Sequence, residues 1–250
     1  MTHTKTKTDP TAPAAATSEI HQRRTLAIDI GGTGIKGLVL DGSGNPLSER
    51  VRIATPVPAT PRAVLAVVKR LVAKQPPFDR VSVGFPGVVV DGVVHTAPNL
   101  HETWRGVDLD AAITKLAHRN ARVLNDAAVQ GYGAIKGHGV ELTITLGTGF
   151  GSSLFVDGHV IPLELGHHPW RSGATYEEQL GHAALEKVGK RRWRRRVAKA
   201  VAQLERTFNP RTIYLGGGNA RLLAKVKLPD NVKIVANDAG MLGGIALWRE

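Results

Sequence analysis

The stretch LAIDIGGTGIKGLVLDG, residues 26–42, decides how the fold is read. Leu26, Ala27, Ile28 and Ile30 around a lone Asp29 predict a buried strand. Ile35, Leu38, Val39 and Leu40 predict a second one that ends at the Asp41-Gly42 turn. Between them, Gly31, Gly32 and Gly34 allow backbone dihedrals closed to other residues and leave N–H groups uncovered, the property by which a loop cradles an anion. Asp29 can hold a cation beside such a loop, and Lys36 is close enough in sequence to add a positive charge. The same residues also read as a tight hairpin with one satisfied aspartate.

A second copy weighs against the plainer reading. Shifted by 116 positions, residues 142–158, LTITLGTGFGSSLFVDG, align with the first stretch without a gap. Leu26, Ile28, Gly31, Leu38, Asp41 and Gly42 meet identical residues, and Ile30, Val39 and Leu40 meet apolar ones. Such self-similarity predicts two related halves, each with a strand, glycine loop, strand unit. Two loops facing each other across a cleft would clamp phosphates. Neither matches GxxxxGK[ST], and neither leads from a strand into a helix as a dinucleotide fingerprint does.

The chain has 250 residues, enough to bury roughly 75% of its extended surface, and the repeat favours two domains. It has no cysteine, which excludes disulfides and thiolate-bound zinc and fits a reducing, cytoplasmic location. Met1–Ser18 lacks the apolar run of a secretory signal and reads as disordered, with the fold starting near Thr25. No run has the length of a membrane span. The net charge of +12 suggests an anionic partner without choosing one.

Further along, Pro61 suits a helix start, with Val64, Leu65, Val68, Leu71 and Val72 on one face. A strand is expected over 80–84, then GFPG and a hairpin turning at Asp91-Gly92. Asn99 and Trp104 fall in an irregular stretch of the kind that holds ligands, before a helix over 109–118 capped by Asp108. A strand over 121–124 leads through Asn125-Asp126 into a helix reaching about Ile135. Asp126 reads either as an N-cap or as a carboxylate aimed into the cleft. Glu164, His167 and His168 could bind a metal, but the spacing is weak for zinc and hydrogen bonding to a polyol is as natural. Thr175 and Glu178 form a capping box that leaves Glu177 free. A strand over 212–215 leads into GGGN, and a last strand is expected over 234–236, with Asp238 capping a closing helix.

Residues 187–199, KVGKRRWRRRVAK, contain no acid. On a helix, Trp193, Val197, Ala200, Val201, Leu204 and Phe208 form one arc, and Arg191, Arg192, Arg195, Arg196, Lys199 and Arg206 the opposite one. Like charges on neighbouring turns repel, so an anionic partner is expected: nucleic acid, anionic lipid, a nucleotide or a polyanionic substrate. No recognised nucleic-acid module accompanies the charge, and the apolar face is needed for the core.

DIGGTGIKG (29–37), GFPG (84–87), LND (124–126), LGTGFGS (146–152), ELGH (164–167), GGGN (216–219) and NDAG (237–240) occur in this order. With these motifs the chain resembles the ROK (repressor, open reading frame, kinase) sugar kinases, most closely the polyphosphate glucokinases. The resemblance implies an α/β, actin-like ATPase (ribonuclease H-like) fold with two domains flanking a cleft. The expected divisions are a tail over 1–24, domains over 25–125 and 126–237, and a helix over 238–250 packing back on the first domain.

The resemblance also implies roles for particular residues. Asp126 takes the general-base role, and Asn99, Asn125, Glu164, His167 and Glu177 become sugar ligands. Gly31, Gly32, Thr33, Gly34 and Lys36, with Gly147, Thr148, Gly149 and Gly151, become the phosphate loops. Asp29 lies near Mg²⁺, partly through water, and Gly217 and Gly218 lie on the donor side. Many ROK members follow ELGH with a cysteine-rich zinc motif, absent here, so His167 is read as a sugar ligand. The expected partners are glucose and either polyphosphate or ATP, in a homodimer with no specific nucleic acid and no membrane. Polyphosphate would run along Arg191, Arg192, Arg195, Arg196 and Lys199, whereas ATP would use the GGGN region. A non-enzymatic sugar sensor is the rival class, but a repressor would need an added helix-turn-helix, for which the first 24 residues are too few and too irregular.

Overall fold

A computed structural model describes residues 23–161, 163–235 and 239–248. The first sheet is built from β1 (Thr25–Ile30), β2 (Gly34–Leu40), β3 (Val51–Ala54), β4 (Arg80–Phe85) and, after the short hairpin β5 (Val89–Val90) and β6 (Val93–Val94), β7 (Ala121–Asn125). Its order is β3-β2-β1-β4-β7, antiparallel across β3, β2 and β1 and parallel across β1, β4 and β7. The second sheet uses β8 (Val140–Leu146), β9 (Phe150–Val156), β10 (His159–Ile161), β13 (Thr212–Gly216) and β14 (Val232–Ile234), with β11 (Pro169–Arg171) and β12 (Ala174–Thr175) pairing separately. Its order, β10-β9-β8-β13-β14, repeats the same sequence of antiparallel and parallel pairings. The shift of 116 positions relates β1 and β2 to β8 and β9, and the remaining strands repeat the same order at other offsets.

Each sheet has its own core. Helix α1 (Pro61–Val72) is capped by the Thr60 hydroxyl, which accepts from Ala63 N, and packs Val64, Val67, Val68 and Leu71 against the first sheet. Helix α2 (Leu109–Ala117) is capped by Asp108 and adds Leu109 and Ile113 to the same core. Trp104 joins them, fully buried, its ring 4.9 Å from that of Phe85. Its indole belongs to the core, not to a ligand loop.

In the second half, helix α5 (His182–Phe208) inserts Trp193, Val197, Ala200, Val201 and Leu204. Gly189, at φ +75° and ψ 157°, breaks the helix. The basic run is therefore not one continuous helix, and Lys187 lies before the break.

Two further helices join the halves. Helix α3 (Asp126–Tyr132) links β7 to β8, and α6 (Ala239–Ala246) crosses it so closely that Gly243 lies directly against the Val129 carbonyl. Ile245 packs with Ala27, Leu38 and Leu40, and Trp248 Nε1 donates to Ser82 Oγ at 2.8 Å, which fixes α6 on the first sheet. Helix α3 stops at Tyr132, three residues before Ile135, with Gly133 as its C-cap. The last strand lies at 232–234, not 234–236, because the edge register pairs Val232 with Ile213 and Ile234 with Leu215. Asp238, the expected cap, lies outside the described residues, as does the tail over residues 1–22. No described helix is long and apolar enough to cross a membrane.

Buried Glu141 ties the far end of the second sheet together. Its carboxylate accepts from Lys136 N, Gly137 N, His138 N and the Tyr214 hydroxyl at 2.7–3.2 Å. Burial alone would raise its pKa, but these four donors outweigh it and hold the pKa below the ordinary value. The stabilisation is therefore present above the unfolded-state pKa and is lost as pH falls through the lower folded-state value. Glu141→Gln replaces an acceptor oxygen by a donor and should cost about 3 kcal/mol in urea unfolding at neutral pH. An unchanged midpoint would show that the cradle contributes nothing.

Candidate active site

Both glycine loops sit at equivalent ends of their sheets. In the first, Gly31 N donates to Gly34 O at 3.1 Å and the Thr55 hydroxyl donates to Gly31 O at 2.5 Å. In the second, Gly147 N donates to Gly149 O at 3.2 Å. The GGGN turn holds this loop from behind: Asn219 N donates to Leu146 O at 2.9 Å and Asn219 Nδ2 to Gly147 O at 3.2 Å. Gly217 is at φ +84°, and a Cβ there would stand 2.5 Å from Leu146 O, so this donor-side glycine lies against the strand that carries the loop. Helix α5 also starts here, with His182 N donating to Thr148 O at 3.1 Å.

Asn125 and Asp126 divide their work. Asn125 is the N-cap of α3, its Oδ1 accepting from Ala127 N at 2.9 Å and Ala128 N at 3.3 Å while its Nδ2 donates to Gly87 O at 3.0 Å. Its oxygen is committed to the fold, and only the second amide hydrogen is left for a sugar. Asp126 is thereby released from capping, although it still accepts from Ala127 N at 2.7 Å. Burial, then the charges of Asp29 and Glu164, push its pKa up to about 7. A carboxylate that takes up a proton near neutral pH is suited to general-base work.

Glu164 lies on the opposite side of the cleft, ahead of the short turn at Leu165–His167. Burial and Glu177 raise its pKa, and His167 opposes them. Helix α4 (Tyr176–Leu180) carries Glu177, whose Oε2 accepts from Phe150 N at 3.2 Å and presses on Gly149. Glu178 is occupied by the capping box with Thr175. Glu177, not Glu178, therefore faces the second loop. Gly166 lies between the carboxylates, its missing Cβ 3.5 Å from Glu164 and 3.7 Å from Glu177. Asn125 and Glu164 share a cavity walled by Val88 and Val89 from the first half and Val160 and Leu163 from the second. Asn99 is exposed above the first loop, its carbonyl 3.4 Å from where a Gly32 Cβ would stand.

Two features modify the sequence reading. Asp29 and Lys36 are cross-strand partners joined at 3.0 Å, so the cation and phosphate roles expected of them begin from an ion pair. Among the basic residues of α5, Arg191, Arg192, Arg195 and Lys199 are exposed, whereas Arg196 is half-buried with its guanidinium on Gln179 O. Sequence reasoning missed Arg52, Thr55 and His182, which touch the loops. The alternation of VRIATP, once paired with the Lys36 strand, is the signal that would have found Arg52.

A model of the ROK family matches residues 25–190. Polyphosphate glucokinase of Mycobacterium tuberculosis is 34% identical over 260 residues, covering 97% of this chain and 96% of the relative. Among solved structures, inorganic polyphosphate/ATP-glucomannokinase from Arthrobacter sp. strain KM superposes with a TM-score of 0.80 at 33% identity, covering 91% of this chain and all of that one. A ROK-family glucokinase from Streptomyces griseus, in complex with glucose and AMPPNP, has a TM-score of 0.71 at 22% identity, covering 90% and 98%, and shares the fold. With paired sheets around a cleft, two glycine loops and these relatives along nearly its whole length, the chain belongs to the ROK family.

Proposed function

We propose that the protein transfers a phosphoryl group from inorganic polyphosphate to the 6-hydroxyl of glucose, giving glucose 6-phosphate. The carrying observation is Asp126: freed from capping by Asn125 and raised to a pKa of about 7 between Asp29 and Glu164. In this reading Asp126 accepts the proton of the 6-hydroxyl as its oxygen attacks the terminal phosphorus and the bond to the shortened polyphosphate breaks. Asn99, Asn125, Glu164, His167 and Glu177 orient the sugar. Several partners for different hydroxyls would reject sugars that lack one.

The backbone donors of residues 31–34 and 147–151, with Thr33, Thr148 and Lys36, would balance charge on the moving phosphoryl. Closure of the 25–125 and 126–237 halves would exclude water, a competing nucleophile.

Among the described residues, no group of three or more ligating side chains is present. Mg²⁺ binds through one or two carboxylates plus phosphate oxygens and water. Asp29, with 42% of its side chain exposed, would hold it, and the ion would supply charge neutralisation on the donor.

The exposed cations of α5 support polyphosphate as donor, because beyond the Gly189 break Trp193 Nε1 donates to Leu180 O at 2.8 Å, two residues before His182, whose N–H bonds Thr148 O of the second loop. Dual use of ATP is a second reading, favoured by the place of Gly217 beside Leu146 and by the dual-donor relative from Arthrobacter. Assembly as a homodimer in the cytoplasm belongs to the proposal through the resemblance.

Glucose 6-phosphate formation with polyphosphate or ATP, each at several salt concentrations, tests the reading. Product from polyphosphate, falling as salt rises, is expected. Product from ATP alone would overturn the donor, and none from either would overturn the activity.

A further inference from the structure

The first glycine loop carries a cation that the sequence reading did not place there. Arg52 on β3 stands opposite Lys36 on β2, which stands opposite Asp29 on β1. Opposed residues of paired strands share a face. With strands about 4.8 Å apart, the three form a row roughly 10 Å long, from the carboxylate beside Asp126 out to the sheet edge.

Arg52 does not simply extend into solvent. Its Nη2 donates to Thr33 O at 3.2 Å, and its guanidinium lies over Gly34, where a Cβ would stand 2.7 Å from Nε and Nη2. A glycine at 34 is what leaves room for it. Lys36 has Asp29 as counter-ion at 3.0 Å, whereas Arg52 makes no ion pair among the described residues and commits one nitrogen to a neutral carbonyl. Holding a long side chain in one place costs rotamer entropy, and a single bond to a carbonyl is small return. A guanidinium held flat against an anion-cradling loop, with most of its donors unused, suits bidentate recognition of a phosphate.

We propose that Arg52 seats a phosphate of the polyphosphate chain beyond the one being transferred, and that Gly34 is glycine so that the guanidinium can lie there. The proposal rests on reading the first loop as the donor cradle. Because the seat lies at the outer end of the row, it acts on donor affinity and not on the chemical step.

The test uses the full chain, with inorganic tripolyphosphate as a non-reacting probe measured calorimetrically without glucose. Arg52→Ala should weaken tripolyphosphate binding and raise KM for polyphosphate about 10- to 100-fold, with kcat and the glucose KM within about twofold of native. Arg52→Lys should recover part of the loss, since a point charge cannot bind bidentately. Arg52 is exposed on an edge strand, so neither change threatens the fold. Native tripolyphosphate affinity in Arg52→Ala, no binding by the native protein, or a fall in kcat with KM unchanged would each overturn the proposal. A native protein that binds tripolyphosphate through Arg52 yet phosphorylates no glucose would overturn the proposed activity and leave the phosphate seat standing.

Discussion

Asp126→Asn is expected to bind glucose with nearly native affinity and to turn over about 10²-fold or more slowly. The amide is nearly isosteric and can still accept from Ala127 N, so the start of α3 persists. What is lost is the capacity to take a proton. The pH dependence should go with it: native turnover rises as pH passes through about 7, where Asp126 ionises, and the variant lacks that inflection.

The same substitution should raise stability above neutral pH. A carboxylate whose folded-state pKa is raised keeps its proton longer folded than unfolded, so stability declines as pH rises from the unfolded pKa to about 7. Above that, the native protein holds a buried charge close to Asp29 and Glu164, and the variant does not. Asp126→Asn should therefore melt higher than native at pH 8. Slower turnover with greater stability separates a functional carboxylate from a structural cap, whose removal would lower both. Unchanged turnover would remove the base assignment.

Neutralising Arg191, Arg192 and Arg195 together to Gln should raise KM for long polyphosphate about 10- to 100-fold at low salt and flatten its salt dependence. All three are exposed, and the buried face through Trp193 and Val197 is untouched. Arg196 is kept because its guanidinium rests on Gln179 O. The loss should grow with chain length, since short polyphosphates do not reach past the loop, and kinetics with ATP should be unaffected. Equal losses for short and long chains would place the effect at the loop. No loss would mean that the basic face serves another partner.

The sequence made the two β-strand pairs legible because each is local: two apolar runs separated by a few glycines can fold back in few ways. The duplication then carried that local pattern to the whole architecture, which the identical pairing order of the two sheets bears out. The edge strands were less legible. β3 is four residues long with alternating partial exposure, and β14 begins two residues earlier than its apolar residues suggested. Their positions follow from register with a neighbour, which no single segment encodes.

The site divides similarly. Motif residues are readable, but Asn125 and Asp126 are both good caps, and only the geometry gives the cap to Asn125 and frees its neighbour. The Thr175–Glu178 capping box was readable from spacing alone and forms as expected, but only the fold shows that Glu177 then faces the second loop. Arg52 was invisible for the reason β3 was: its place on the first loop depends on strand pairing. Lys36 and Asp29 were readable as a cation and an anion near one loop, but not as partners already in contact.

A crystal structure with glucose bound tests the central claim most directly. The account predicts the sugar in the cleft with its 6-hydroxyl within about 2.6–3.2 Å of the Asp126 carboxylate and turned toward both glycine loops. Another hydroxyl in that place, or glucose held away from Asp126, would contradict it.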